Sequence, residues 1–365
     1  MKQAHSPKQH RPAEPLLTRH VFLDTQVYHA LKHNPANPAL LALKQHISAH
    51  RVVLHTTDIT LLEVKRQLKE AVQARAREVG EAEKDFRRWR KQAPKTTPAS
   101  MPQFDANVVG EELFARFHWF IAHECGAEVH HALKIVSPEA VFTTYFDRKA
   151  PFDGKDSKEF PDGFMIAALI QWAESTGNKL HVVTRDGAME RAAEADPNLL
   201  PLKDIQEVLA RAATDLGPEA EAIADRLLNH PAFDSTFVRL LEAQMKEAVY
   251  VYTGELPEGE AYEGQLVAIE EVGDWSVVGL SDKRVSLILD ARVKVRVEVQ
   301  YEDRDSASYD REDDRWFGAE DAAVEVEDDA EIEILVEIDR TSGEVVGGKL
   351  LTSEIDISGP SDYDY

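Results

Sequence analysis

Four acidic side chains stand at positions from which a folded chain could gather them. Asp24 closes the short apolar run HVFLD (20–24), and Glu63 lies within TTDITLLEVKRQL (56–68), in the first turns expected of a helix. Asp162 opens the apolar stretch of KEFPDGFMIAAL (158–169), and Asp186 follows the run VVT in VVTRDGAME (182–190). Carboxylates packed together repel one another unless a cation neutralises them. Ligand sets made only of oxygen suit Mg²⁺ or Mn²⁺. One or two such ions activate water and stabilise the charge that develops in phosphodiester hydrolysis. Each acid also has an ordinary role open to it. Asp24 and Asp186-Gly187 fit turns, Asp162 after Pro161 fits a helix N-terminus, and Glu63 fits a solvent-facing helix position beside Arg66 or Gln67.

Bringing such residues together requires strand ends and helix starts at one edge of a sheet. HVFLD, RVVLH (51–55) and KLHVVT (179–184) are short apolar strand candidates, and VFTTYF (141–146) is a further one. A long helix is expected from Asp58, placed as its N-cap, to about Lys91, with Leu61, Leu62, Val64 and Leu68 at helical spacing. Further helices are expected over 108–134, over 160–175, after Arg185, and from near Asp204 beyond NLLPL (198–202). The 160–175 helix is apolar nearly all round, as a buried helix is. Strands alternating with helices predict an α/β fold, a parallel sheet covered on both faces. Open α/β sheets carry their sites at the carboxyl ends of the strands, where Asp24 and Asp186 stand.

In this order, strand–Asp24–Thr25, helix Glu63, Asp162 before an apolar helix, and strand–Thr184–x–Asp186, the chain resembles the PIN nuclease domain over roughly residues 18–210. The closer similarity is to a bacterial PIN-like group in which a basic insertion, here RKAPFDGKDSKEFPD (148–162), precedes the third acid. The resemblance implies that Asp24, Glu63, Asp162 and Asp186 form an acidic centre for Mg²⁺ or Mn²⁺, with Thr184 as a polar neighbour. It implies a metal-dependent endoribonuclease acting on RNA, with toxins and RNA-processing or phage-defence enzymes as the customary settings. A DNA-directed or structure-specific nuclease, and a non-catalytic nucleic-acid or partner-binding scaffold, are the alternatives. Gly163 departs from the family pattern, where Ala is more usual.

Two basic stretches accompany the acids. KDFRRWRKQAPK (84–95) interleaves Lys84, Arg87, Arg88 and Arg90 with Phe86 and Trp89, a combination that can neutralise phosphates and stack unpaired bases. A helix end whose aromatic residues pack inward is the plainer reading of the same run. Arg148, Lys149, Lys155 and Lys158 stand just before Asp162, where they could position a phosphate or simply form a surface loop. FHWF (117–120) is expected in the core; His130-His131 carry no zinc pattern, and the isolated His29 and His55 are expected to be structural.

The chain has 365 residues and a formal charge of −24, and at roughly 150 residues per domain its length predicts about two domains. The charge is divided unevenly: residues 1–200 carry 27 Lys+Arg and 25 Asp+Glu, while residues 201–365 carry 15 and 41. The acidity therefore belongs to one half, and a near-neutral half remains to meet nucleic acid. No apolar run is long enough to span a membrane, and MKQAHSPKQHRPAEP lacks the apolar core of a secretory signal. A single cysteine, Cys125, excludes a disulfide framework. A cytoplasmic protein is expected.

The expected organisation is a flexible tail (1–17), the PIN-like domain (18–215), a helical linker (216–252), a smaller acidic β-rich domain (253–357) and a disordered tail (358–365). In the β-rich part, VKVRVEVQY (293–301) and EIEILVEI (331–338) alternate apolar and polar residues, the pattern of half-exposed antiparallel strands. EDRDSASYDREDDRWFGAED (302–321) lacks the residue order of an EF-hand and reads as a solvated loop. This domain could cover the basic cleft, or meet a regulatory protein or a second copy of the chain.

Overall fold

The structure is a computed structural model and describes residues 14–93, 104–154, 159–304, 308–310, 315–317, 320–352 and 354–359. Most of the expected tails, most of the Pro/Thr-rich loop at 91–102, nine of the twenty residues of the acidic loop at 302–321, and Lys155 and Lys158 lie outside the described residues. Two units form, one over Leu16–Val208 and one from Leu209 onward. No described helix is long and apolar enough to cross a membrane.

The first unit begins with β1 (His20–Leu23), α1 (Thr25–Ala30), α2 (Pro38–Ser48), β2 (Val53–Thr57) and the long α3 (Asp58–Gln92). Next come α4 (Ala106–Trp119), a π-helical turn at Phe120–Glu124, β3 (Glu128–His130), α5 (Ala132–Ile135) and α6 (Pro138–Phe146). The buried α7 (Phe160–Thr176), β4 (Leu180–Val183), α8 (Gly187–Glu194) and β5 (Leu199–Leu202) complete the alternation, and α9 (Ile205–Ala213) begins in this unit and ends in the next. The five strands are parallel in the order β3-β2-β1-β4-β5, so β1, which carries Asp24 at its end, is central. Phe22, Met165, Leu169, Leu180 and Val182 are sealed in the core between α7 and the sheet. The expected parallel sheet flanked by helices is what forms.

Several local expectations are corrected. VFTTYF is the body of α6 rather than a strand: Pro138 starts the helix, and Val141 and Tyr145, one turn apart, face the core. The span 108–134 is not one helix. After α4 the chain widens into the π turn, Gly126 takes a left-handed φ of 57°, and Glu128–His130 then pairs with β2. The N-cap of α3 is Thr57, whose hydroxyl accepts from the Thr60 amide at 3.0 Å, and Asp58 is the first helical residue. NLLPL contains the strand β5, where Pro201 is tolerated because β5 is an edge.

The second unit holds α10 (Pro218–Leu228) and α11 (Pro231–Glu247), then β6 (Tyr250–Tyr252), β7 (Glu260–Leu280), β8 (Arg284–Asp303), β9 (Ser308–Asp310), β10 (Arg315–Phe317), β11 (Glu320–Asp339), β12 (Val345–Leu350) and β13 (Ile355–Ile357). An antiparallel sheet runs β12-β11-β8-β7, the β-rich domain expected from the alternating pattern. Along β8, Val293, Val295, Val297 and Val299 are fully buried while Arg292 and Arg296 point outward. The helices of the expected linker share this core: Leu227, Phe233, Phe237 and Leu241 are buried with the sheet's valines.

Candidate active site

The carboxyl edge of the parallel sheet gathers the acidic residues in stages. Asp24 is the first residue beyond β1 and the N-cap of α1, with its amide tied to the Val183 carbonyl at 3.0 Å. It is only 4% exposed, yet both carboxylate oxygens are held: the Thr25 amide donates to Oδ1 at 2.6 Å and the Thr184 hydroxyl donates to Oδ2 at 2.7 Å. Thr25 also donates its own hydroxyl to Glu63 Oε2 at 2.7 Å, so one threonine orients two acids. Glu63 reaches the edge because α3 starts directly at the end of β2.

Asp186 caps α8, accepting from the amides of Ala188 and Met189 at 2.7 and 2.9 Å through Oδ1. Its Oδ2 faces Gln26, whose side-chain amide donates to it at 3.3 Å. The Thr184 hydroxyl accepts from the Asp186 amide at 3.0 Å while donating to Asp24, which links the ends of β1 and β4.

Asp162 lies in the first turn of α7, half-buried, and among the described residues it accepts no hydrogen bond. Its position depends on Gly163. A Cβ there would collide with the Phe152 ring, whose Cε2 would lie 2.8 Å away, so the smaller residue lets Phe152 pack under the helix start.

The electrostatics follow from burial and crowding. Burial first, and then the charges of Asp24, Glu63, Glu159 and Asp186, together push the Asp162 carboxyl up to about 8. For Asp24 burial is again the largest cause and Glu63 and Asp186 add to it, while the Thr184 and Thr25 hydrogen bonds oppose it, and the net is a carboxyl raised to about 6. Four acids distant in sequence thus feel one another at one edge. Among the described residues, however, no three carboxylate, imidazole or thiol groups stand within reach of a single ion in this structure.

Residues 21–189 match the family model of the PIN domain. The first unit is a PIN domain. No curated protein and no solved structure matches the chain. PIN domains are, as a family, nucleases that use divalent metal ions, and nucleic acid is the corresponding class of substrate.

Of the other expected residues, Arg148 and Lys149 are exposed just after α6, with Lys149 paired to Asp147 at 2.9 Å. Lys84, Arg87, Arg88, Trp89 and Arg90 occupy the last turns of α3, where Arg87 pairs with Glu83 and Arg88 with Asp85. At 1.5 Å per residue, Lys84 lies about 30 Å along the helix from Glu63, so this basic run is not part of the acidic cluster. Phe117 and Phe120 are buried as expected of FHWF, whereas Trp119 is exposed.

Sequence reasoning passed over Gln26, which carries no motif signal, and gave Thr25 no role, although its place directly after the strand-end Asp was a usable one. It also treated His55 as isolated. In the PIN domain His55 forms a hydrogen-bonded chain with His20 and His130, 2.9 Å on each side, packed on Trp172.

Proposed function

We propose that the PIN domain is a Mg²⁺- or Mn²⁺-dependent endoribonuclease, with Asp24, Glu63, Asp162 and Asp186 as its acidic centre and Thr184 as a positioning neighbour. The observation that supports this most strongly is the elevation of both Asp24 and Asp162, by burial and by neighbouring acids, at the sheet's carboxyl edge. Carboxyls whose ionisation is opposed by burial and by neighbouring acids belong to an oxygen-only set whose strain a hard divalent cation relieves. The residues present therefore fit such an ion, and these four would hold it. When bound, the ion activates water for attack on phosphorus and neutralises the developing charge.

The chain's own side chains supply placement. Thr184 and Thr25 lock the Asp24 carboxylate, so its geometry does not have to be organised when substrate arrives. Thr25 does the same for Glu63, and the α8 amides for Asp186. Asp162, the least restrained acid, is the group that exchanges a proton as the charge of the site changes. Arg148, Lys149, Lys155 and Lys158 draw the phosphate backbone toward the start of α7, and the α3 end, from Lys84 to Arg90 with Trp89, contacts more distant nucleotides. Cleavage by water in line leaves 5′-phosphate and 3′-hydroxyl ends. A cytoplasmic setting in toxin action or phage defence belongs to the same reading.

The test is cleavage of single-stranded RNA and DNA by the full chain with Mn²⁺, Mg²⁺ or EDTA, beside Asp24→Asn. Metal-dependent RNA cleavage that disappears in the variant is expected. Cleavage of DNA alone would move the activity to the DNA-directed alternative, and binding without cleavage of either would favour the scaffold.

A further inference from the structure

Beside the acidic cluster the surface turns apolar. A groove of about 450 Å³ lies between the first turns of α3, α5 and the start of α7, walled by Leu62, Leu133, Phe160 and Phe164. Leu62 and Leu133 are more than half exposed, at 55% and 58%, so these are large apolar side chains presented to solvent rather than core. Glu63 belongs to the groove wall as well as to the acidic cluster, and Arg66, on the turn of α3 after Glu63, stands at the rim.

The apolar surface continues onto α6. Phe142 and Phe146, one turn apart, are 44% and 75% exposed with ring centroids 6.3 Å apart, and the Phe142 ring lies 5.1 Å from that of Phe160 in the groove wall. Exposed aromatic rings in sequence along a path, with cations at Arg66 and at Arg148 and Lys149, match the alternation of base and phosphate in a single strand. A duplex offers no unpaired base to such a groove.

We propose that this groove seats an unpaired nucleobase beside the bond that is cut, that Phe142 and Phe146 stack neighbouring bases, and that the substrate is accordingly single-stranded. The inference rests on the nuclease reading for the identity of the cut bond. Glu63 ties the two together: a chain whose phosphate lies at the acids must place an adjacent nucleotide over the groove, and Arg66 is positioned to meet the next phosphate.

The experiment uses the full chain carrying Asp24→Asn, so that binding is read without cleavage. A single-stranded oligouridylate with one 2-aminopurine is titrated by fluorescence, beside a blunt duplex of matching length. Two further chains add Leu62→Ser with Leu133→Ser, or Phe142→Ala with Phe146→Ala, all exposed positions whose replacement leaves the core intact. Saturable quenching of the single strand is expected, with affinity lost about tenfold or more in each double replacement, and weak duplex binding that is the same in all three. Equal single-strand affinity in all three chains, or a duplex bound as tightly as the single strand, would overturn the proposal and leave the groove to a protein segment. The two readings fail separately. Groove-dependent stacking with no cleavage by the unsubstituted chain contradicts the nuclease and supports the groove. Metal-dependent cleavage and binding indifferent to all four side chains would do the reverse.

Discussion

Along β8 and β11 the second unit sets its charges opposite one another, Arg296 Nε meeting Glu327 at 2.9 Å, Arg292 meeting Glu331 at 3.1 Å and Arg284 meeting Glu337 at 2.6 Å. Asp339 ends β11 in the same unit, and the amides of Ser342 and Thr341 in the turn that follows hold its carboxyl below the usual range. At the carboxyl edge of the PIN domain the same kinds of acid have no basic partner among their hydrogen bonds, and Asp24 and Asp162 are pushed upward instead. The difference lies in the supply of donors and the depth of burial, since the residue types are shared. Paired, exposed charges keep a sheet surface soluble and fix its register. Crowded, buried carboxylates cost stability, and such costs gather where a site has to bind something.

The contrast breaks most visibly in activity. Asp24→Asn should lower cleavage on the order of 100-fold or more while the chain stays folded, whereas Arg296→Ala, which opens a surface pair, should leave the rate unchanged. Comparable losses in both would mean that the two kinds of charge are not functionally distinct.

Next in size is Gly163→Ala. The added methyl meets the Phe152 ring, and overpacking of this kind costs about 1–3 kcal/mol, read as a drop in denaturant midpoint. Adding Phe152→Leu should recover most of that loss. If Gly163→Ala is neutral, the close seating of α7 on Phe152 is not what places Asp162.

The pH dependence sharpens the same comparison. Asp24 and Asp162 bind protons more tightly folded than unfolded, so the stability they contribute is complete below about pH 4 and is lost as pH rises through about 6 and then about 8. In the cation-free chain, Asp162→Asn should therefore gain about 1–2 kcal/mol over the parent at pH 8, a gain that vanishes toward pH 4. His55 acts in the opposite sense: burial, with His130 and His20 beside it, depresses it from 6.5 to about 3, so it withdraws stability as pH falls below 6.5. Thermal unfolding of parent and variant across this range separates the two slopes, and equal curves would contradict the elevation of Asp162. The smallest effect belongs to the sheet surface, where Arg296→Ala should move Tm by no more than about 2 °C.

Much of this arrangement was legible in the residues. Short apolar runs ending in Asp24 and at Thr184 read directly as strands with acids at their carboxyl ends, because parallel strands buried on both faces are continuous apolar segments. The alternation in VKVRVEVQY was equally plain. What misled was composition without context. VFTTYF carries β-branched and aromatic residues and still forms α6, since Pro138 opens a helix whose inner face suits the core. The 108–134 stretch has helical periodicity to Phe120 but gives no warning of the π turn, and only pairing with β2 makes Glu128–His130 a strand. The clasp of Asp24 and Glu63 by Thr25, and the Gln26 contact to Asp186, are tertiary events that no local pattern announces.

The most direct test is a calorimetric titration of Mn²⁺ into the full chain at pH 7, repeated in two buffers of different ionisation enthalpy. Binding with net proton release is predicted, because Asp162 holds a proton at that pH and must give it up, and Asp24→Asn and Asp162→Asn should each weaken the binding. Absence of binding, or binding that persists unchanged in both variants, would contradict the assignment of these carboxylates as a divalent-metal centre.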